Sequence, residues 1–282
     1  MTDTAIEPGL RSRRIRPRAA VLGFLGGPGI SIAGICLALL AWELAARFGH
    51  VAGGQLAPFS TAVKTGYQEH SYLLGETWYT VKEVLLGFAT SVVVGIGLAL
   101  AIVSSRPFSK AVWPVIVMSQ VIPKIAIAPI FLVWFGFSMT SKILIAFLLS
   151  FFPIVIDTVL GLRSTKVEQL YLARSIGARD WQTFLKIRLP NALPSMFAGL
   201  KLAATFSVTG AVVGEFVGSD HGIGREIIGS SARLNTNLTY AGVLYVGAVG
   251  FIAFFSMRYL EHLAIPWHVS QRQRAIPRRR RG

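Results

Sequence analysis

Three ionisable side chains, Lys124, Asp157 and Glu215, stand inside long apolar runs. A charged group so placed must be paired, protonated, hydrated or drawn to an interface. Its functional uses are contact with a charged solute, a proton relay, or a gate. Lys124 follows Pro123, and two readings stay open: a charge facing a translocation cavity, or a lysine that snorkels or pairs internally where the proline breaks a helix. Asp157 lies near one end of its run and reads as a cap or a partner for Arg163 in preference to a proton relay. For Glu215, a gate or internal-packing role stands level with an interfacial one.

Other chemistry is hard to build from this chain. Cys36 is the only cysteine, so neither an intramolecular disulfide nor a thiolate cluster is available. His50 and His70 lack ligand spacing, and no metal site is expected. No glycine-rich loop ends in Lys-Ser/Thr, and Gly222-Ile223-Gly224 lacks both the strand context and the spacing of a phosphate motif. The expectation is a protein that is not an enzyme, without cofactor or metal of its own.

The segment from Val167 to Pro190 is polar between apolar neighbours. Leu170, Ala173 and Ile176 recur at helical spacing, and Trp181, Phe184, Leu185 and Ile187 resume the apolar side after Gly177. Glu168, Arg174, Arg179, Asp180, Lys186 and Arg188 mark solvent or headgroup. Gly177 permits a tight turn, and Pro190 suits a boundary before the next span. Helix, glycine bend, helix, proline is the outline of a docking element on a membrane surface.

The elements that hold these residues are membrane spans. Of 282 residues, 53% are hydrophobic, the mean hydropathy is +0.57, and the apolar residues gather into runs that reach the roughly 20 needed for a helix to cross hydrocarbon. The predicted fold is all-α and polytopic. Its six spans are placed at about Ile30–Ala46, Thr80–Val103, Ala111–Phe135, Lys142–Leu160, Leu193–Val217 and Tyr240–Leu260. Pro114, Pro123 and Pro129 argue against an unbroken third span, and Pro153 is expected to interrupt the fourth. The fifth is rich in small residues (Ala203, Ala204, Gly210, Ala211, Gly214), as close packing along a subunit or pathway interface requires. Between spans, an interfacial helix is expected around Ser60–Tyr72, and Ile223, Ile227 and Ile228 suggest a short re-entrant or interfacial one.

A net charge of +15 raises the question of nucleic acid, but its distribution answers it. Arginines crowd residues 11–18 and 272–281, beside membrane spans, where topology and anionic lipid explain them. No specific nucleic-acid partner is expected. Arg106, Lys110 and the basic residues from Arg163 to Arg188 fall on the same side as these tails, so both termini are predicted to be cytoplasmic. The domain plan is a basic N-terminal tail and membrane approach (1–29), a membrane domain (30–260) with its docking loop at 161–190, and a basic C-terminal tail (261–282).

The central loop resembles the cytoplasmic signature of importer-type ABC transporter permeases, the EAA loop, which runs E-A-A, three residues, G, nine residues, I-x-L-P. Here Tyr171-Leu172-Ala173, Gly177, Ile187 and Leu189-Pro190 stand at that spacing. IPKIAIAPIFLVWFG, FPIVIDTVLGLRS, LARSIGARDWQTFLKIRLPNALPSMFAGLK and GAVVGEF are similar to the nitrate/sulfonate/taurine branch. Tyr171 replaces the usual glutamate, with Glu168 nearby, and Asp157 stands where that branch often has a neutral polar residue.

The resemblance implies a permease subunit in the cell inner membrane. It implies a second permease copy, two cytoplasmic ATPases that carry ATP and Mg2+, and an external solute-binding protein. Ala173 and Gly177 would form a docking notch. Leu170, Ile176 and Trp181 would supply apolar contacts, with Glu168, Arg174 and Arg179 at the rim. The implied substrate is a small anion such as an organic sulfonate, taurine or nitrate, although related systems accept heterocyclic vitamin precursors. An ion-coupled secondary transporter, using the broken spans with Lys124, Asp157 and Glu215, is the main rival; a nontransporting membrane scaffold is the other.

Overall fold

The computed structural model describes residues 28–48 and 56–267. Both arginine-rich tails and His50 lie outside these residues. The chain divides into two compact units, residues 1–60 and 61–282.

In the first unit, α1 (Pro28–Phe48) is an apolar helix of membrane length. Near its end Glu43 is paired. It accepts from Arg47 Nε at 2.6 Å, from the Ser60 amide at 3.0 Å and from Ser60 Oγ at 2.7 Å. Trp42 Nε1 donates to the Ala57 carbonyl at 3.1 Å.

The second unit begins within α2 (Phe59–Gln68) and continues through α3 (His70–Ser104), α4 (Arg106–Met118), α5 (Ala128–Phe135) and α6 (Met139–Arg163). Then come α7 (Val167–Ser175), α8 (Asp180–Thr183), α9 (Leu189–Val217), α10 (Ile223–Ala232) and α11 (Thr236–Ala264). Among the described residues five helices are long and apolar enough to span a membrane, or six if the bent pair 106–121 and 124–135 counts as one span. That pair turns through 91°. Pro123 forces Ile122 into an extended conformation (ψ 126°), and Lys124 then opens a 3-10 turn, Lys124–Ile127.

One proline expectation is corrected. Pro153 does not interrupt α6, which is continuous from Met139 to Arg163. A Cβ on Gly199 of α9 would lie only 2.8 Å from the Pro153 carbonyl, so the two helices touch backbone to backbone at that turn and hold it. Pro190 stands where the expected boundary puts it, in the first turn of α9, where its missing donor costs nothing. The π-turn Phe184–Arg188 immediately before it bonds the Leu189 amide to the Phe184 carbonyl and widens the backbone where the proline ring needs room. Residues 180–217 thus form one helical run out of the loop. The second span also starts earlier than predicted, at His70.

Helices α3, α6 and α9 make the core. A Cβ at Gly87 would come within 2.6 Å of Ala146 Cβ, and one at Gly210 within 2.6 Å of Ala146 Cα, so Ala146 is gripped by smooth surfaces from both sides. The small residues of α9 therefore serve packing against α6 of the same chain. Around them Val84, Val208, Ala211 and Val212 are buried. Lys201 Nζ meets Glu261 Oε2 at 2.7 Å and ties α11 to α9.

Candidate functional site

The loop 161–190 is a defined object. Helix α7 ends in paired reverse bonds, the Ala178 amide to the Ala173 carbonyl and the Gly177 amide to the Arg174 carbonyl, both 3.0 Å. This termination requires a left-handed residue, and Gly177 supplies it with φ +73°. Beyond it the Arg179 amide donates to Gln182 Oε1 at 2.9 Å and starts α8. Asn191 Nδ2 donates to Gln169 Oε1 at 2.9 Å, joining α7 to the foot of α9.

The loop's apolar residues divide. Ala173 is buried and Leu170 half-buried, so both help seat α7 on the bundle. Ile176 (75% exposed), Leu172, Tyr171 and Trp181 (56%) stand outward beside Gly177, where an added Cβ would meet nothing within 4 Å. Glu168, Arg174 and Arg179 are exposed around them, while Ile187, Leu189 and Pro190 are half-buried along the run into α9. An apolar crest in a charged rim is thus joined to a membrane-length helix.

Mid-bundle, the bend after α4 opens a cavity of about 470 Å³ bounded by α6 and α9. Lys124 lines it, with Nζ 4.6 Å from the centre of the Phe152 ring. Asp157 lines it too, pressed against Gly199. Among the described residues neither makes an ion pair. The expected Asp157–Arg163 pair does not form: six positions apart on a helix, the two point to different faces, and Arg163 instead donates to Ser109 Oγ at 2.6 Å. The cavity therefore presents one cation, one carboxylate and an aromatic face.

Glu215 belongs elsewhere. It lies some 26 residues along α9 from the loop, roughly 40 Å by helical rise, and does not line that cavity. Only 1% exposed, it accepts from Thr80 Oγ1 and from the Gly224 amide, both at 2.6 Å. The Gly222 amide donates to Glu76 Oε2 at 2.6 Å, and the Ile223 amide to Thr80 Oγ1 at 3.0 Å. Gly222-Ile223-Gly224 is thus an anion site for the protein's own carboxylates, placed at the positive end of α10. Glu226, equally buried, accepts from Tyr72 Oη and Arg233 Nη2, each at 2.6 Å. Close by, Glu83 Oε1 lies 3.9 Å from Lys142 Nζ, and its carboxyl group faces that of Glu215.

Sequence reading missed Thr80, Glu83, Lys142 and Glu226. The usable signal was that Glu83 and Lys142, like Glu215, are charges within apolar runs; their pairing is long-range and left no spacing to read. Among the described residues no group of three or more His, Cys, Asp or Glu is arranged to hold a metal ion.

Residues 91–264 match the family of binding-protein-dependent transport system inner membrane components. The chain is 36% identical over 232 residues to a probable ABC transporter permease of Haemophilus influenzae, covering 82% of this chain and 94% of that one. It is 33% identical over 237 residues to a formylaminopyrimidine transport permease of Halalkalibacterium halodurans, covering 83% and 93%. Its fold is like that of a chain in the inward-facing MetNI methionine ABC transporter, with a TM-score of 0.59 at 17% identity over 68% of this chain and 96% of that one. The membrane-length helices and these matches agree, and the chain belongs to the binding-protein-dependent transport system inner membrane components, the multi-pass permeases of ABC transporters.

Proposed function

We propose that this chain is the permease subunit of an ATP-driven importer for a small solute. Two copies form the path, two ATPases dock on residues 161–190 from the cytoplasmic side, and an external solute-binding protein delivers the cargo. Both termini lie in the cytoplasm. The permease domain is residues 30–260, flanked by the two basic tails.

The observation that carries the reading is the exposed crest of Tyr171, Leu172, Ile176 and Trp181 on a loop whose second half runs without a break into α9. When ATP draws the ATPases together, a push on α8 moves α9 as a lever, and α9 walls the Lys124 cavity. The Glu215 clamp at the other end of α9 fastens the α10 segment over the bundle and serves as the gate-side anchor.

The cavity bears on the solute. Lys124 suits an anionic group, and Asp157 suits a cationic or N–H donor group. A dipolar organic solute fits both, so an aminosulfonate such as taurine is better matched than nitrate or a simple sulfonate. Relatives named for formylaminopyrimidine, riboflavin, aliphatic sulfonates and taurine bracket this range. Uptake into vesicles holding the complete transporter tests the reading. ATP-dependent accumulation that survives collapse of ion gradients supports it; gradient-driven flux without ATP replaces it with the secondary transporter.

A further inference from the structure

At the loop end of the bundle a second cavity, about 410 Å³, lies between the start of α4, the end of α6, α7 and the turn before α9. Four cations line it: Arg106, Lys110, Arg163 and Arg188. No carboxylate lines it, and none of the four makes an ion pair among the described residues. Arg163 is aimed by two contacts, its bond to Ser109 Oγ at 2.6 Å and the Trp113 ring 5.1 Å from its guanidinium carbon. The first turn of α4, which begins at Arg106, adds the positive end of a helix.

A second observation points to a ligand. Thr165 lines the same cavity, is 8% exposed, and its hydroxyl has no hydrogen-bond partner among the described residues. A buried hydroxyl without a partner is rare in a folded protein and marks a place where something else completes the bond. The positive-inside tendency explains why basic residues occur at this end of the spans. It does not explain why separate segments converge on one cavity beside an orphan hydroxyl.

Forked guanidiniums, an ammonium and two hydroxyls form a donor set for a tetrahedral oxyanion. Ile102 and Leu162 give the cavity an apolar side, where a glycerol or acyl stem fits. We propose that this cavity binds a phosphate-bearing anion, supplied either as the headgroup of an anionic phospholipid or as a free phosphate compound. Leu170 and Arg188 belong to the docking segment, so the occupant ties that segment to the bundle end.

The test uses the full chain, purified with whatever subunits accompany it and stripped of lipid. Phosphatidylglycerol, phosphatidylcholine and inorganic phosphate are added in separate arms, with binding read by native mass spectrometry and by thermal unfolding. The wild-type chain is expected to bind phosphatidylglycerol or phosphate saturably and phosphatidylcholine much more weakly. Arg188→Gln and Arg106→Gln should each weaken binding about fivefold. Thr165→Val, which keeps the side chain's shape, should weaken it severalfold, and Arg258→Gln, elsewhere on the surface, should not. Saturation by the lipid without competition from phosphate identifies a headgroup; displacement by phosphate identifies the free anion. Failure of both probes to bind the wild-type chain overturns the proposal, as does binding unchanged in Thr165→Val and Arg188→Gln. Loss of ATPase association in Arg188→Gln, with no binding of either probe, overturns it in favour of acidic side chains on the ATPase.

Discussion

Glu215 and Gly224 face each other across a chain reversal, and the Gly224 amide donates to Glu215 Oε2 at 2.6 Å. One bond thereby joins the far end of α9 to the first turn of α10. The other carboxylate oxygen reaches across to Thr80 on α3, so a single buried side chain fastens three helices.

Removing that carboxylate leaves the Thr80 hydroxyl and the Gly224 amide without their acceptor. Glu215→Ala is expected to cost about 3 kcal/mol, read as a lowered Tm in detergent, and to expose residues 218–235 to protease. Gly222→Ala should act through the same place, because its Cβ would run into the Glu215 carboxylate at φ +112°. The double variant should lose less than the sum of the two. Full additivity would separate the two residues and contradict the clamp.

Lys124 and Asp157 should act on transport while leaving the fold intact. Lys124→Gln and Asp157→Asn, both nearly the size of the originals, are expected to lower solute uptake tenfold or more, with normal insertion and normal recovery of partner subunits. Each change should weigh most on a solute carrying the charge complementary to the residue removed. Equal loss for every solute would assign the pair to packing.

The close approach of α9 and α6 leaves no room at Gly210. Gly210→Leu must push apart backbones that an added Cβ would already bring within 2.6 Å, and a loss of at least 1–3 kcal/mol is expected, about the range for overpacked cores. Expression yield and monodispersity in mild detergent report it directly. Gly97→Leu, where a Cβ meets nothing within 4 Å, is the matched control.

Much of this could be read before any coordinates. Long apolar runs mark the spans because hydrocarbon length is a property of local sequence. The bend at Pro123 and the turn at Gly177 are equally local, since both follow from what one residue can do with its own backbone. The misreadings share a different cause. Residues 73–79 fall between the expected interfacial helix and the second span because Glu76 and the neighbouring Tyr72 look polar, yet those side chains are satisfied by Gly222 and Glu226, far along the chain. Pro153 looks like a break until its close contact with Gly199 accommodates it. The Glu83–Lys142 contact follows from the packing of α3 on α6, which no periodicity encodes.

Gly177 separates loop shape from loop chemistry. Gly177→Ala forces an L side chain into φ +73°, at about 1 kcal/mol, without filling the open space beside it. A modest weakening of ATPase binding is expected, with unchanged insertion. Gly177→Trp adds bulk to that strain and should abolish binding. Equal behaviour of the two variants would place the whole effect in the turn.

If the crest on residues 171–181 receives an ATPase, recovery of that partner depends on it. Tagged wild-type chain and the Ile176→Asp, Trp181→Asp double variant are purified from native membranes in mild detergent, and co-purifying ATP hydrolysis is measured. Ile176 and Trp181 are already exposed, so the double variant should insert and unfold as the wild type does. ATPase activity is expected with the wild type and its loss from the variant. An ATPase retained in full by the variant, or absent from the wild type under several extraction conditions, would contradict it.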